Sequence, residues 1–184
     1  MIQQEIVILK QLKKKRPWSG GYEVKKEKFT WFLEELCKLH ELEIPKLIIH
    51  RSEKQFKWAK KYCGDCTLEG KKGQIRIKNF SIITLLHEFK HWKDFHDPEL
   101  KFNKKEEKKR EYDAYYYSTR RFYAVWPERI KMLSEFIENK IFKTKSIQTR
   151  IRKMKNKYKE IDMDYILKAE TCAIIDIILG EFLC

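Results

Sequence analysis

The segment His87-Glu88-x-x-His91 contains two histidines and a glutamate at a spacing that suits metal binding and proton transfer. Histidines four positions apart lie one turn apart on the same face of an α-helix, so both imidazoles can reach one metal ion. Glu88 points to a neighbouring part of that surface, where its carboxylate can take a proton from metal-activated water. The spacing therefore predicts a hydrolytic zinc site with His87 and His91 as ligands and Glu88 as the general base.

The sequence around this motif favours a helix that is mostly buried. Ser81 is a candidate N-cap, and residues 82–86 supply apolar side chains ahead of the first histidine. Phe89 and Trp92 continue the apolar character beyond it, and Pro98 predicts the end of the helix. The histidines are thus expected on an amphipathic helix and not in a charged loop.

A catalytic zinc ion usually has three protein ligands, so one more is needed. His96 is a poor choice, because five positions beyond the second histidine it is rotated away from the ligand face of a continuous helix. Glu111 is better placed, since it begins a segment with helical spacing that could return past the first helix. Ala114 and Ser118, on the same side as Glu111, are small enough to let the two helices approach closely. Asp113 is the alternative ligand.

His87-Glu88-x-x-His91 followed by Glu111-x-x-Ala114 resembles the gluzincin zinc metallopeptidases. The resemblance covers about residues 28–123, and the short form is similar to the minigluzincins and the ImmA/IrrE-like peptidases of mobile elements and stress regulators. It implies that His87, His91 and Glu111 bind zinc and that Glu88 is the general base in peptide-bond hydrolysis. SprT-like peptidases are the neighbouring alternative, but they use a third histidine, and the spacing here argues against one.

The resemblance also bears on three features around the metal ligands: the group that orients His87, the strand beside the cleft and the residue that stabilises the transition state. Position 115 is a tyrosine, where larger thermolysin-like members carry an aspartate that supports a histidine ligand. Asp94 or a backbone carbonyl is therefore expected to orient His87 instead. In such peptidases the strand before the metal helix, here 74–78, borders the cleft and offers an open edge to an extended substrate. Four candidates for the residue that stabilises the transition state stay open: Tyr112, Tyr115, Tyr116 and His96.

Composition and charge suggest a second function. The 184 residues are 42% hydrophobic and carry a formal net charge of +14, which indicates a folded chain that attracts polyanions. The basic run from Arg150 to Lys159 could contact nucleic acid, an acidic partner or only solvent. One alternative is therefore a nucleic-acid-associated protein of a mobile element with a structural or latent metal site. Another is a toxin or regulator that cuts a single repressor.

Neither export nor a membrane partner is expected. The apolar residues 6–9 precede the basic residues 13–16, which is the reverse of a secretory signal. No apolar stretch reaches the roughly 18 residues of a membrane helix, so a cytoplasmic location is predicted. Cys63 and Cys66 have the spacing of a metal knuckle or a redox pair, and structural zinc, a disulfide and plain thiols all stay open.

These patterns predict an α+β fold. Residues 1–125 are expected to form a small zincin-like domain with an N-terminal helix, a short and mostly antiparallel sheet, the motif helix and a following helix that carries Glu111. Residues 126–184 are expected to form a basic helical extension packed on it, and the oligomeric state is left open. Further helices are predicted within 1–21 and over 28–42, 55–62, 128–142 and 149–159, with strands at 47–49 and 74–78 and a loop or first helical turn at 104–110.

Overall fold

The computed structural model describes residues 2–50, 64–69, 72–100 and 104–129. Within these ranges the chain forms four helices and a three-stranded mixed sheet, so the α+β prediction is confirmed. The elements, in chain order, are α1 (Ile2–Lys14), α2 (Tyr22–Leu39), β1 (Lys46–His50), β2 (Gly64–Glu69), β3 (Lys72–Lys78), α3 (Ile82–Phe95) and α4 (Lys104–Val125).

The sheet differs from the prediction in two ways. Its strand order is β1-β3-β2, with β1 parallel and β2 antiparallel to β3. The prediction of a mostly antiparallel sheet is therefore wrong, because the two pairings are of opposite kinds. The predicted strand at 74–78 lies within β3, which is the central strand and is paired on both sides. The expected open edge is thus not on β3, and among the described strands β1 and β2 are the edge strands.

Strand β2 was not predicted from the sequence. Its residues, Gly-Asp-Cys-Thr-Leu-Glu, lack the apolar alternation of a half-buried strand. The cysteine spacing in this region instead suggested a metal knuckle or a redox pair. The strand is stabilised by its ladder with β3 and by a cross-strand ion pair, in which Arg76 Nε donates to Asp65 Oδ1 over 2.6 Å. Cys66 is a half-buried free thiol in this strand, while Cys63 lies outside the described residues.

The helices follow the predictions more closely. α1 ends at Lys14, and the expected turn follows, with Gly20 at a φ of 96° that favours glycine. α2 starts at Tyr22, six residues before its predicted start at position 28. α4 already begins at Lys104, so residues 104–110 are helical and not a loop. The helices predicted over 55–62, 128–142 and 149–159, and all but the first few residues of the 126–184 extension, lie outside the described ranges.

The core lies between the sheet and the four helices. Ile75 and Ile77 from β3 are fully buried, as is Phe89 from α3. Trp92 of α3 packs directly over Gly73 of β3, where a Cβ atom would lie only 1.9 Å from the Trp92 Cζ3 atom. The central helix α3 is thus fixed on the sheet along its length, which gives the motif a rigid support. Further core side chains come from Leu9, Leu12, Phe29, Phe32, Leu33, Leu36, Ile82, Leu85, Leu86 and Phe122.

No helix in the described ranges combines the length and the apolar character needed to cross a membrane.

Candidate metal centre

The motif helix has the boundaries and the cap that its sequence predicts. The Ser81 side chain accepts a hydrogen bond from the Thr84 backbone N–H over 3.2 Å and so satisfies one of the free donors in the first turn of α3. The helix ends at Phe95, before Pro98. His87 and Glu88 lie in its buried middle, and His91 follows one turn later at partial exposure.

Helix α4 packs against α3 and brings the predicted third ligand to the two histidines. Ala114 and Ser118 are fully buried on α4, which agrees with the expected close approach of the helices. Glu111 Oε2 lies 3.4 Å from His87 Nε2, and Glu111 Oε1 lies 3.2 Å from His91 Nε2. The two histidine Nε2 atoms are 3.1 Å apart. The structure therefore brings His87, His91 and Glu111 together at one point, with one donor atom of each within 4.8 Å of the others.

The donor set and its spacing fit a zinc ion. Two imidazole nitrogens and one carboxylate are a ligand set that catalytic zinc uses, with a fourth position left for water. Ligand atoms placed ~2.0–2.1 Å from a tetrahedral ion lie about 3.3 Å from one another. The 3.1 Å between the two imidazole nitrogens is near that value, and each nitrogen lies 3.2–3.4 Å from a different oxygen of the Glu111 carboxylate. The three side chains thus need little rearrangement to hold such an ion.

The alternative ligands are not part of this cluster. The Asp113 carboxylate is absent from the described group of converging donor atoms. The His96 ring lies at the exposed C-terminal cap of α3, where its Nδ1 is 2.9 Å from the Trp92 carbonyl oxygen. The expectation that His96 is rotated away from the ligand face is thus confirmed.

The pKa shifts of His87 and Glu111 suit a metal site. Burial lowers the pKa of His87 below its usual value, although the neighbouring Glu111 opposes that shift. Burial raises the pKa of Glu111, but hydrogen bonds from His87 and His91 outweigh it and hold the pKa well below its usual value. A neutral imidazole keeps a lone pair for a metal ion, and an ionised carboxylate supplies negative charge.

No protein-family model matches this chain, and comparisons with curated proteins and with solved structures give no match either. The geometry of the site is therefore the basis for assigning a function.

Glu88 lies beside the cluster and is buried, with 6% of its surface exposed. Burial raises the pKa of its carboxyl group well above the usual value, and the negative charges of Glu111 and Asp65 raise it further. The carboxylate lies against the backbone of Gly64 in β2, where a Cβ atom would be 2.8 Å from Glu88 Oε1. A buried carboxyl group with raised proton affinity beside the three donor atoms has the properties of a general base.

The expected partner of His87 is not observed. Asp94 forms its ion pair with Lys90, one turn earlier on α3, and not with the histidine. The buried Nδ1 atom of His87 has no hydrogen-bond partner among the described residues, which also excludes a described backbone carbonyl. Asp94 is therefore not the orienting group, and no carbonyl of the described residues takes that role. The Tyr115 ring contacts that of His87, with centroids 4.5 Å apart.

The four residues that the sequence offers as stabilisers of a transition state differ in their distance from the cluster. The Tyr116 hydroxyl is on the surface and accepts a hydrogen bond from Arg120 Nη1, and His96 lies at the far end of α3. The side chain of Tyr112 lies outside the described part of the structure. Of the four candidates, Tyr115 is thus the one whose described ring borders the cluster.

A second buried network, which the sequence analysis missed, joins the two ligand-bearing helices. Glu5 of α1 is fully buried and contacts Arg121 Nε through Oε2. Its Oε1 atom accepts a hydrogen bond from the Tyr117 hydroxyl at 2.6 Å and lies 2.6 Å from His40 Nε2. Lys93 Nζ is 3.8 Å from the same oxygen. Because Lys93 belongs to α3 and Tyr117 and Arg121 belong to α4, this one carboxylate links both helices to α1.

A sequence signal for this network did exist. Glu5, Leu9 and Leu12 share one face of α1 by helical spacing, and both leucines are core residues. A glutamate on an apolar face predicts a buried charge, which in turn requires cationic partners. The partners could not be identified in advance, because Arg121 is 116 residues away in the chain.

Proposed function

We propose that this protein is a zinc-dependent endopeptidase of the gluzincin type, with a small zincin-like domain. The observation that supports the proposal most strongly is the convergence of His87, His91 and Glu111 at separations that suit one zinc ion. The buried Glu88 beside them supplies the second element that hydrolysis needs, a group to move protons.

Each side chain has a separate part in the reaction. A zinc ion held by the three ligands would lower the pKa of water and polarise a peptide carbonyl. Glu88 takes a proton from the attacking water while the water oxygen forms a bond to the carbonyl carbon. When the C–N bond breaks, Glu88 passes that proton to the leaving amine, so one carboxylate acts first as base and then as acid.

We place the substrate along β2. Within the described residues this strand pairs only with β3, and its first residue, Gly64, lies against the Glu88 carboxylate. An extended peptide that adds to the outer edge of β2 would gain backbone hydrogen bonds and pass beside the general base. Leu68, 55% exposed on the same strand, offers an apolar contact to such a peptide.

A cleavage assay in the presence and absence of zinc tests the proposal. Candidate proteins co-expressed with the chain are examined for new N-termini by mass spectrometry, because this readout does not require that the substrate be known in advance. The proposal predicts at least one cleaved protein, loss of cleavage with a chelator and recovery with added zinc. Cleavage that persists in the chelator at full rate would contradict it.

Gly64→Ala is expected to slow peptide hydrolysis by about 10–100-fold and to leave zinc binding unchanged. A Cβ at this position would lie 2.8 Å from Glu88 Oε1 and 2.7 Å from Thr84 Cγ2, so the general base must move. Displacement of a catalytic group by about 1 Å can cost about 10²-fold in rate. The measurement is kcat on a cleaved substrate together with zinc content. Gly21→Ala is the matched control, because a Cβ there meets nothing within 4 Å. Wild-type kcat in Gly64→Ala would show that β2 does not position Glu88.

The net charge of +14 supports a second candidate function, sequence-independent binding of nucleic acid. The basic run 150–159 predicted to contribute lies outside the described residues. We expect weak binding to duplex and single strands whose affinity falls steeply with salt, since counterion release drives it. Fluorescence anisotropy at two salt concentrations measures this. A flat response at low salt with both kinds of strand would exclude the function.

A further inference from the structure

His87 lacks, among the described residues, the hydrogen bond to its second ring nitrogen that a metal-binding histidine usually has. Such a ligand normally donates its second ring N–H to a carboxylate, a carbonyl or water, and this fixes the orientation of the ring. Here the second nitrogen, Nδ1, is buried and has no hydrogen-bond partner among the described residues. The nearest carboxylate on the same helix beyond the motif, Asp94, pairs with Lys90. Something else must hold the imidazole so that Nε2 faces Glu111.

The Tyr115 ring is in position to do this. Its centroid lies 4.5 Å from that of His87, at an interplanar angle of 55°. The His91 ring lies 4.8 Å from that of His87, at an angle of 76°. The His87 ring therefore contacts two other rings, and these contacts restrict rotation about its χ1 and χ2 angles. Of these two neighbours, only Tyr115 is not itself a candidate ligand.

Helix α4 holds the backbone of Tyr115 firmly. The Tyr115 carbonyl accepts hydrogen bonds from Ser118 Oγ at 3.0 Å and from Thr119 Oγ1 at 2.7 Å. Both hydroxyl-bearing residues are buried. Glu111 and Tyr115 are four positions apart, so they share one face of α4. The same turn of helix thus presents a ligand to the metal position and a ring to the first histidine.

We propose that Tyr115 is a positioning residue for zinc binding, and that its ring contact with His87 replaces the usual hydrogen bond to the second imidazole nitrogen. This rests on the proposed zinc site, but it does not require peptidase activity. The ring, and not the hydroxyl, carries the effect. Loss of such support around a metal ligand typically weakens metal affinity by about 10–100-fold.

Zinc affinity measured by competition with a chromophoric chelator tests the proposal on the full chain. Tyr115→Leu is expected to bind zinc about 10–100-fold more weakly than the wild type, while Tyr115→Phe, which keeps the ring, binds within about twofold of it. Tyr116→Leu is the matched control, because this neighbouring tyrosine is 39% exposed. The visible spectrum of the Co²⁺-loaded proteins gives a second readout, which is expected to change in Tyr115→Leu and to stay the same in Tyr115→Phe.

The outcomes separate this inference from the zinc proposal itself. If the wild type binds no zinc, the proposed function fails first. If the wild type binds zinc and Tyr115→Leu has the same affinity and the same Co²⁺ spectrum, the positioning role alone is wrong. If Tyr115→Phe loses as much affinity as Tyr115→Leu, the hydroxyl is responsible and the ring-contact argument is overturned. Should Tyr115→Leu fail to fold, as judged by circular dichroism in chelator, Tyr115→Met replaces it with the same expected loss, and wild-type affinity in that variant would overturn the positioning role.

Discussion

Glu88→Gln is expected to slow peptide hydrolysis by about 10²–10⁴-fold, with zinc content and fold unchanged. Glutamine keeps the shape of the side chain in its buried place beside Gly64, but its amide cannot take a proton from water. Because Glu88 is not one of the three converging donors, its replacement leaves the ligand set intact. The measurement is kcat on a cleaved substrate, with zinc determined by elemental analysis on the same preparation.

The matched control is Glu99→Gln, an exposed glutamate beyond the end of α3, which is expected to retain the wild-type rate. Cleavage by Glu88→Gln at the wild-type rate would show that the mechanism is wrong. Loss of zinc from Glu88→Gln would make Glu88 a ligand and require a new assignment for Glu111.

Glu5→Gln is expected to lower the free energy of unfolding by about 3–5 kcal/mol, the usual cost of leaving one side of a buried ion pair uncompensated. The carboxylate is fully buried, and its removal leaves the Arg121 guanidinium facing a neutral amide. The network lies between the helices that carry His91 and Glu111, so the loss weakens the support of the metal centre as well. Urea unfolding in the presence of a chelator measures the effect without a contribution from zinc. Glu23→Gln, on the exposed first turn of α2, is the control.

The same network predicts a dependence on pH. Burial raises the pKa of Glu5, but hydrogen bonds from His40 and Tyr117 and the charge of Arg121 outweigh it and lower the pKa from 4.5 to about 2. A depressed pKa stabilises the folded state above the unfolded-state pKa, and this stabilisation is lost as pH falls through the folded-state pKa. The stability difference between the wild type and Glu5→Gln should therefore shrink from pH 4.5 towards pH 2. A difference that is absent at neutral pH, or that grows on acidification, would contradict the role of Glu5.

Local patterns in the sequence were enough to predict the motif helix. Apolar residues at helical spacing, a serine N-cap and a downstream proline are all short-range signals, and α3 has the expected cap and end. The prediction of Glu111 as a ligand required one assumption about tertiary structure, that a second helix returns past the first. The small residues Ala114 and Ser118 supported that assumption, and both are buried where α4 packs on α3.

The structural features that the sequence did not predict depend on residues distant in the chain, or on two residues that compete for the same side chain. β2 is a strand because β3 pairs with it, and its own residues show no alternation. Asp94 was expected to reach His87, but Lys90, one turn away on the same helix, pairs with it instead. The Glu5 network joins residues more than one hundred positions apart, so spacing along the chain could not identify its cationic members.

Zinc content per chain tests the central claim most directly. The protein is purified without chelator and its metals are determined by elemental analysis, alongside His87→Ala, Glu111→Ala and Asp113→Ala. The account predicts one zinc ion per wild-type chain, loss of zinc from His87→Ala, weaker binding without unfolding in Glu111→Ala, and full zinc in Asp113→Ala, whose carboxylate is outside the cluster. A wild-type chain without metal, or a His87→Ala chain that retains a full zinc ion, would contradict it.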